Sequence, residues 1–291
     1  MDSIALSLVL LSAFLHAVRE LFTKTGTNKH NFIWLYRISG ITLFFPVFVY
    51  CLVRYSLNWY GVGLAVASGL VHCFYYIALG ESLTDGDISI VYPITRCTPI
   101  ILIFWSYFVS HERMTLLGIM GILLVIAGTL SIQLDRRDLK NTLQAIFRFK
   151  NYPVRMAWVV AVITALYSVI DDKGVSYLNP FIYLYLIYSF SVLFHAPFVF
   201  RNSSKAELVS EWRTNKMKII LTGFVSLFGY LLILMAFTME RVTYIVTIRQ
   251  VSVVFGVLLG ITVLNEKNKL IRLSSSVVIY AGICLITLFG G

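Results

Sequence analysis

The feature that most constrains this chain is a succession of apolar segments, each about 20 residues long. Inside a bilayer every backbone N–H and C=O group must be hydrogen-bonded within the protein, so segments of this length predict membrane-spanning helices. A closed barrel would need short segments of alternating polarity, which the sequence lacks. Only 13% of the residues are charged, against about 25% in a soluble domain. We predict ten spans, near residues 3–23, 31–53, 59–80, 87–109, 115–133, 155–174, 179–200, 217–239, 243–264 and 270–289.

The longest connector lies in the middle of the chain, and similar blocks of sequence occur on either side of it. FIWLY at 32–36 is matched by FIYLY at 181–185. Other blocks repeat in the same order: Ile94-Thr95-Arg96 with Thr247-Ile248-Arg249, His111-Glu112-Arg113 with Asn265-Glu266-Lys267, and Ala127-Gly128 with Ala281-Gly282. Because each half has an odd number of spans, the second half has the opposite orientation in the membrane. We therefore predict an all-α polytopic membrane protein with two inverted five-helix repeats, residues 1–134 and 155–291, joined by a basic connector at 135–154.

The predicted spans contain ionisable residues that a lipid-facing helix would not carry. A charge at the bilayer centre costs about 2.5–3.5 kcal/mol on insertion scales, so such residues face a partner or a water-filled cavity. A helix aligns five polar residues of span 1 on one side: His16, Arg19, Glu20, Thr23 and Lys24. Arg37, Arg96 and Arg249 lie in spans 2, 4 and 9. We predict that the repeats enclose a central cavity. The alternative is a structural ion bridge from Glu20 to Arg19 or Arg96.

The arginines outnumber the single carboxylate of this set, which favours a cargo with a carboxylate or phosphate group. The predicted substrate-binding residues are Arg19, Arg37, Tyr76, Tyr92, Arg96, Tyr230, Tyr244 and Arg249. Glu20 and His16, one helical turn apart, are the predicted coupling residues. Pro93 and Pro99 bracket Arg96 and form either a hinge or a static kink, because proline interrupts helical hydrogen bonding.

The sequence has no Walker loop, metal-binding box, nucleophile elbow or haem motif. We therefore expect no catalytic residue, no metal and no cofactor, and a driving force that comes from gradients. The net charge of +10 lies largely in the connectors, where basic residues set topology and meet lipid headgroups rather than nucleic acid. The expected partners are the lipid bilayer and a small-molecule substrate, with the protein a monomer or homodimer.

Three stretches carry a resemblance to a known family: ISIVYPITRCTPI at 88–100, SHERMTLLGIMGILLVIAG at 110–128 and its second copy VLNEKNKLIRLSSSVVIYAG at 263–282. They resemble the EamA-type members of the drug/metabolite transporter superfamily, and the resemblance covers essentially the whole chain. The second copy departs from the pattern because no proline accompanies Arg249. The resemblance implies a ten-helix basket with a central cavity, alternating access, and a place in the bacterial inner (plasma) membrane.

Two questions stay open at this point, orientation and activity. The connectors after spans 1, 3, 5, 7 and 9 hold most of the loop Lys and Arg, so the positive-inside rule places both termini outside. The resembling family usually has both termini in the cytoplasm. The activity that we favour is secondary transport of an anionic or zwitterionic metabolite, such as an amino acid. The alternatives are a flippase for an anionic lipid carrier such as a polyprenyl phosphate, and a membrane-embedded transferase with Glu20 and His16 as acid and base.

Overall fold

The computed structural model describes residues 1–24, 26–84, 91, 94–111, 114–133, 150–256 and 269–290, and helices account for most of them. In chain order they are α1 (Ser3–Lys24), α2 (Lys29–Arg54), α3 (Trp59–Thr84), α4 (Thr98–Phe108), α5 (Leu116–Gln133), α6 (Tyr152–Val175), α7 (Pro180–Asn202), α8 (Lys205–Phe237), α9 (Val242–Ile248) and α10 (Lys269–Phe289). No strand occurs within these ranges. Six helices (α1, α2, α3, α6, α7 and α8) are long and apolar enough to cross a membrane, and the shorter ones are apolar as well. The all-α polytopic fold is confirmed.

The eighth helix begins earlier than the predicted span at 217–239. Its first residues form an additional stretch of helix before a kink at Asn215, where the backbone leaves helical geometry (φ −118°, ψ 17°). This stretch buries Glu211, whose carboxylate accepts the backbone N–H groups of Thr27 and Asn28 at 3.2 and 3.0 Å. A carboxylate that satisfies two free amides before α2 therefore ties the α1–α2 connector to the second half of the chain.

Both helices that carry the matched arginines are interrupted. In the first half Arg96 lies in a turn, and α4 begins after it, with Pro99 in the first helical turn, where proline needs no hydrogen-bond partner. In the second half α9 gives way to a 3-10 turn at Arg249–Val251 before helix resumes as far as Gly256. Pro93 lies outside the described residues. A break without proline in the second half shows that proline is not what this position of the repeat requires.

Helices α5 and α10, which correspond in the repeat, pack through small residues. A Cβ added to Gly121 would lie 2.8 Å from the Gly282 carbonyl oxygen, and one added to Gly282 would lie 2.6 Å from that of Gly121. Gly128 approaches the Ser275 carbonyl oxygen in the same way, at 2.9 Å. The earlier residue of α5 faces the later residue of α10, so the helices are antiparallel. Corresponding helices that run in opposite directions are the signature of an inverted repeat.

The remaining packing follows the same relation. Helix α3 packs against α6 and α7, while α8 packs against α1 and α2. In the repeat α3 corresponds to α8, α6 to α1 and α7 to α2. The contacts of α3 with α6 and α7 are therefore equivalent to those of α8 with α1 and α2. The two halves are therefore interleaved around a shared centre.

The connectors form two opposite faces. The Met1 amine donates to the Thr287 carbonyl oxygen at 3.0 Å and lies 3.9 Å from Glu240, and the Thr115 hydroxyl donates to the Phe289 carbonyl oxygen. We call this side, with both chain ends and the α2–α3, α4–α5, α6–α7 and α8–α9 connectors, the termini face. The opposite side, which includes the α1–α2 and α7–α8 connectors, is the basic face.

Candidate functional site

A cavity of about 530 Å³ lies between α1, α2, α3, α6, α9 and the segment before α4. It begins at the exposed Thr27 in the α1–α2 connector and extends to Thr98 and Gln250 at the two helix breaks. The cavity therefore opens on the basic face and ends in the middle of the protein. Its volume suits a small metabolite.

The charged side chains of the cavity are mostly cationic. Arg19, Lys29, Arg96 and Arg249 line it, and Glu20 is the one carboxylate among the described lining residues. An anionic group entering this space meets an excess of positive charge, and guanidinium groups can bind a carboxylate or phosphate through two parallel hydrogen bonds.

Glu20 joins α1 to the break before α4. Arg96 Nη2 donates to Glu20 Oε1 at 3.1 Å, and Arg96 Nη1 lies 3.5 Å from Gln250 Oε1. His16 Nδ1 is 3.5 Å from the same carboxylate oxygen, and His16 Nε2 is 2.9 Å from Arg19 Nη2. Because arginine can only donate, Nε2 accepts, and the proton of the neutral imidazole lies on Nδ1, facing Glu20. The ion bridge considered from the sequence is thus present, and its Glu20 side chain is 30% exposed within the cavity.

Two lining arginines have no such anionic partner. Among the described residues no carboxylate oxygen lies within 4.0 Å of Arg19 or Arg249. Arg19 contacts His16, and the Arg249 guanidinium lies over the Tyr230 ring at 5.4 Å, with its Nε buried and unpaired. Desolvated guanidinium donors without a counter-charge are prepared to bind an anion.

Tyrosines form part of the wall of the cavity. Tyr36, Tyr75, Tyr76 and Tyr167 line it. The Tyr75 ring makes edge contacts with the rings of Tyr76 and Tyr167, at centroid distances of 5.0 and 5.6 Å. This wall offers flat apolar surface and phenol groups to the body of a cargo whose charge is held by the arginines.

Several predicted binding residues lie outside the lining. Arg37 is only 1% exposed and lies behind the wall, 4.3 Å from the centre of the Tyr76 ring and 5.6 Å from that of Tyr188. Tyr230 donates a hydrogen bond to Asp171 instead of facing the cavity. Tyr244 packs near Gly118 and Gly290 toward the termini face. Tyr92 falls outside the described residues. The structure thus brings together in the lining His16, Arg19, Glu20, Tyr76, Arg96 and Arg249.

One buried carboxylate was missed by the sequence reasoning. Asp171 on α6 is fully buried. Its position at the end of a predicted span, beside Asp172 and Lys173, is typical of headgroup contacts, and so the residue attracted no prediction. A helical signal was present, because Thr164, Tyr167, Ser168 and Asp171 share one face of α6.

The chain was compared with protein-family models, curated protein sequences and solved structures. The chain matches the model of the EamA-like transporter family over residues 3–134 and again over residues 153–288. No curated protein sequence matches it. A solved structure titled "Crystal structure of protein" superposes with a TM-score of 0.72, covering 99% of this chain and 96% of that chain at 17% sequence identity. At this identity the solved structure shows the shared fold alone.

Proposed function

The chain belongs to the EamA-like transporter family, and from this membership we propose that it is a secondary active transporter of a small polar metabolite that carries a carboxylate or phosphate group. The cargo is anionic or zwitterionic and crosses by alternating access. Family membership accounts for an integral membrane transporter of small molecules. The charge of the cargo and the energy source are our proposal.

The observation that carries this proposal is the presence of Arg19 and Arg249 in the cavity without a carboxylate partner among the described residues. Arg96 and Arg249 also lie at helix breaks, where transporters use discontinuous helices to bind cargo near the membrane centre. An anion that reaches the end of the cavity can contact both arginines, one from each half of the repeat. Binding by one arginine from each repeat suits a site that must be reachable from either face.

The contacts at the two ends of the protein support alternating access. The cavity opens on the basic face, whereas the chain ends and the α8–α9 connector are joined on the termini face through Met1, Glu240 and Thr287. In our proposal this conformation is one end state of the transport cycle. In the other end state the termini face opens and the basic face closes.

The experiment is counterflow in liposomes with leucine, glucose 6-phosphate and a polyprenyl phosphate as labelled probes. We expect exchange of a soluble probe, and we expect Arg96→Ala and Arg249→Ala each to weaken its apparent affinity. A hydrogen bond to a charged group contributes about 1.5–3 kcal/mol, which corresponds to about tenfold to a hundredfold. Arg201→Ala, an exposed arginine at the end of α7, is the matched control.

Transport at wild-type affinity by both cavity variants would reject the proposal. Translocation of the polyprenyl phosphate alone would identify a flippase. Chemical conversion of any probe would identify a transferase.

A further inference from the structure

Asp171 is a fully buried carboxylate that is hydrogen-bonded by hydroxyl groups from three other helices. The Ser68 hydroxyl on α3 and the Tyr183 hydroxyl on α7 donate to Oδ1, the latter at 3.1 Å, and the Tyr230 hydroxyl on α8 donates to Oδ2 at 2.5 Å. Among the described residues no basic nitrogen lies within 4.0 Å of it. A carboxylate inside a membrane protein without a cation partner is costly to bury, and such residues are functional in most membrane proteins.

The hydrogen bonds of Asp171 depend on whether it carries a proton. An ionised carboxylate only accepts hydrogen bonds, so Ser68, Tyr183 and Tyr230 can all donate to it. A protonated carboxyl group has an O–H group of its own, which must donate to a neighbour. When that neighbour is one of these three hydroxyl groups, proton binding reverses or breaks its contact with Asp171.

We propose that Asp171 is the proton-binding site that couples transport to a proton gradient. This inference rests on the proposed function and transfers the coupling role from Glu20 and His16. In this state Glu20 is already engaged by a cation, because Arg96 donates a hydrogen bond to it at 3.1 Å. Asp171 has no arginine to displace.

Hydrogen bonds link Asp171 to His72, and a ring contact links His72 to a residue of the cavity lining. Tyr167 lines the cavity, and its ring stacks on His72 at a centroid distance of 4.1 Å. His72 Nδ1 is 3.1 Å from Ser68 Oγ, and Ser68 donates to Asp171. If His72 first takes up a proton at Nε2, its Nδ1 proton can pass to Ser68 Oγ as the Ser68 proton passes to Asp171 Oδ1, and His72 is neutral again. One N–H bond forms at Nε2, the Nδ1–H bond breaks, and one O–H bond forms at Asp171.

The other titratable and charged groups around Asp171 come from each helix that packs on it. They are His72 on α3, Tyr167 and Asp172 on α6, Tyr183 on α7, Tyr230 on α8, and, beyond the Tyr230 ring, Arg249 at the α9 break. Arg249 is the one permanent cation of this set. Because its guanidinium lies 5.4 Å from the Tyr230 ring, Tyr230 separates the cargo-binding charge from the proton site.

The position of Asp171 explains how a proton would affect transport. The residue lies one turn before α6 ends at Val175, and Tyr183 lies in the first turn of α7, so the network is on the closed side of the protein, toward the termini face. Opening that face requires α3, α6, α7 and α8 to separate. Loss of one hydroxyl contact on protonation weakens the closure, so proton binding favours the conformation that opens on the termini face.

The first test requires no cargo. Infrared difference spectra of the purified protein, recorded between alkaline and acidic buffer, detect the C=O stretching band of a protonated carboxyl group. We expect a band that is lost in Asp171→Asn and retained in Asp172→Asn and Glu20→Gln. The variant Tyr230→Phe, which keeps the carboxyl group but removes one donor, moves the band to higher frequency. Absence of an Asp171-dependent band, or an unmoved band in Tyr230→Phe, would overturn the proton site.

The second test uses liposomes and whichever soluble probe the wild-type protein exchanges. With one proton per cargo, a pH difference of one unit drives about tenfold accumulation, and in Asp171→Asn this ratio should fall to about one while counterflow continues. Accumulation in Asp171→Asn equal to that in Asp172→Asn would overturn the coupling role. If the wild-type protein exchanges no probe, the proposed function fails and the infrared result still decides whether Asp171 binds a proton.

Discussion

Replacement of Glu20 by glutamine tests whether the cargo anion and Glu20 compete for the same arginine. Glutamine retains an oxygen that can accept the hydrogen bond from Arg96, now 3.1 Å from the carboxylate, so the geometry is kept and the charge is removed. If the anionic group of the cargo binds at Arg96, it lies close to the Glu20 carboxylate and is repelled by it. Glu20→Gln should therefore tighten the binding of anions.

The size of this effect follows from Coulomb's law. At a separation of roughly 5 Å, two unit charges repel each other by about 0.8 kcal/mol in water and about 3 kcal/mol at an effective dielectric constant of about 20. Because the Glu20 side chain is 30% exposed in an open cavity, solvent screening places the effect near the lower value, at about 1 kcal/mol or about fivefold in affinity. A dianion such as glucose 6-phosphate should gain about 2 kcal/mol, or about thirtyfold.

The assay is equilibrium binding of labelled glucose 6-phosphate, a monoanion and neutral glucose to purified wild-type protein and Glu20→Gln. Glu240→Gln is the matched control, because Glu240 also lies near a positive group, the Met1 amine at 3.9 Å, but on the termini face. We expect a gain that increases with the charge of the probe and is absent in the control. Equal affinities in both proteins, or weaker binding of anions by Glu20→Gln, would refute the competition.

Two further predictions concern the scaffold and its orientation. Gly282→Ala should lower the free energy of unfolding by about 1–3 kcal/mol through overpacking, because its Cβ would lie 2.6 Å from a backbone oxygen of α5. The control is Gly63→Ala, which has nothing within 4 Å of its Cβ and should be neutral or stabilising by up to about 1 kcal/mol. Size-exclusion chromatography after heating measures how much folded protein each variant retains. Equal losses of folded protein in the two variants would contradict the close approach of α5 and α10. For orientation, the charge distribution predicts that an impermeant maleimide added to intact cells labels Ser56→Cys on the termini face and spares Lys205→Cys on the basic face. The opposite labelling pattern would place both termini in the cytoplasm.

The sequence could predict the ten α-helices that the described residues form and their inverted arrangement, because segment length and matched blocks depend on local residues alone. Which side of a helix faces the centre depends on its neighbours, and here sequence reasoning was less complete. Arg37 and Tyr76 both carry predicted binding roles, yet only Tyr76 lines the cavity, with Arg37 behind it. The helix break at Arg249 could not be predicted from a proline, because none lies near it in the sequence. From the sequence Asp171 resembled a headgroup contact, because its hydrogen-bond donors come from α3, α7 and α8, which are distant in the chain.

A carboxylate lies near the end of each of two helices that correspond in the inverted repeat, α1 and α6. Glu20 lies four residues before the end of α1, and Asp171 lies four residues before the end of the corresponding helix α6. Because the halves are inverted, Glu20 lies toward the open basic face and Asp171 toward the closed termini face. In this state Arg96 donates to Glu20, whereas Arg249 lies beyond the Tyr230 ring from Asp171. A cargo anion bound by Arg249 would hold that guanidinium on the cavity side of the ring and leave Asp171 able to carry a proton. Under our proposal, cargo and proton would then occupy their sites together, which is a physical basis for coupling their movements.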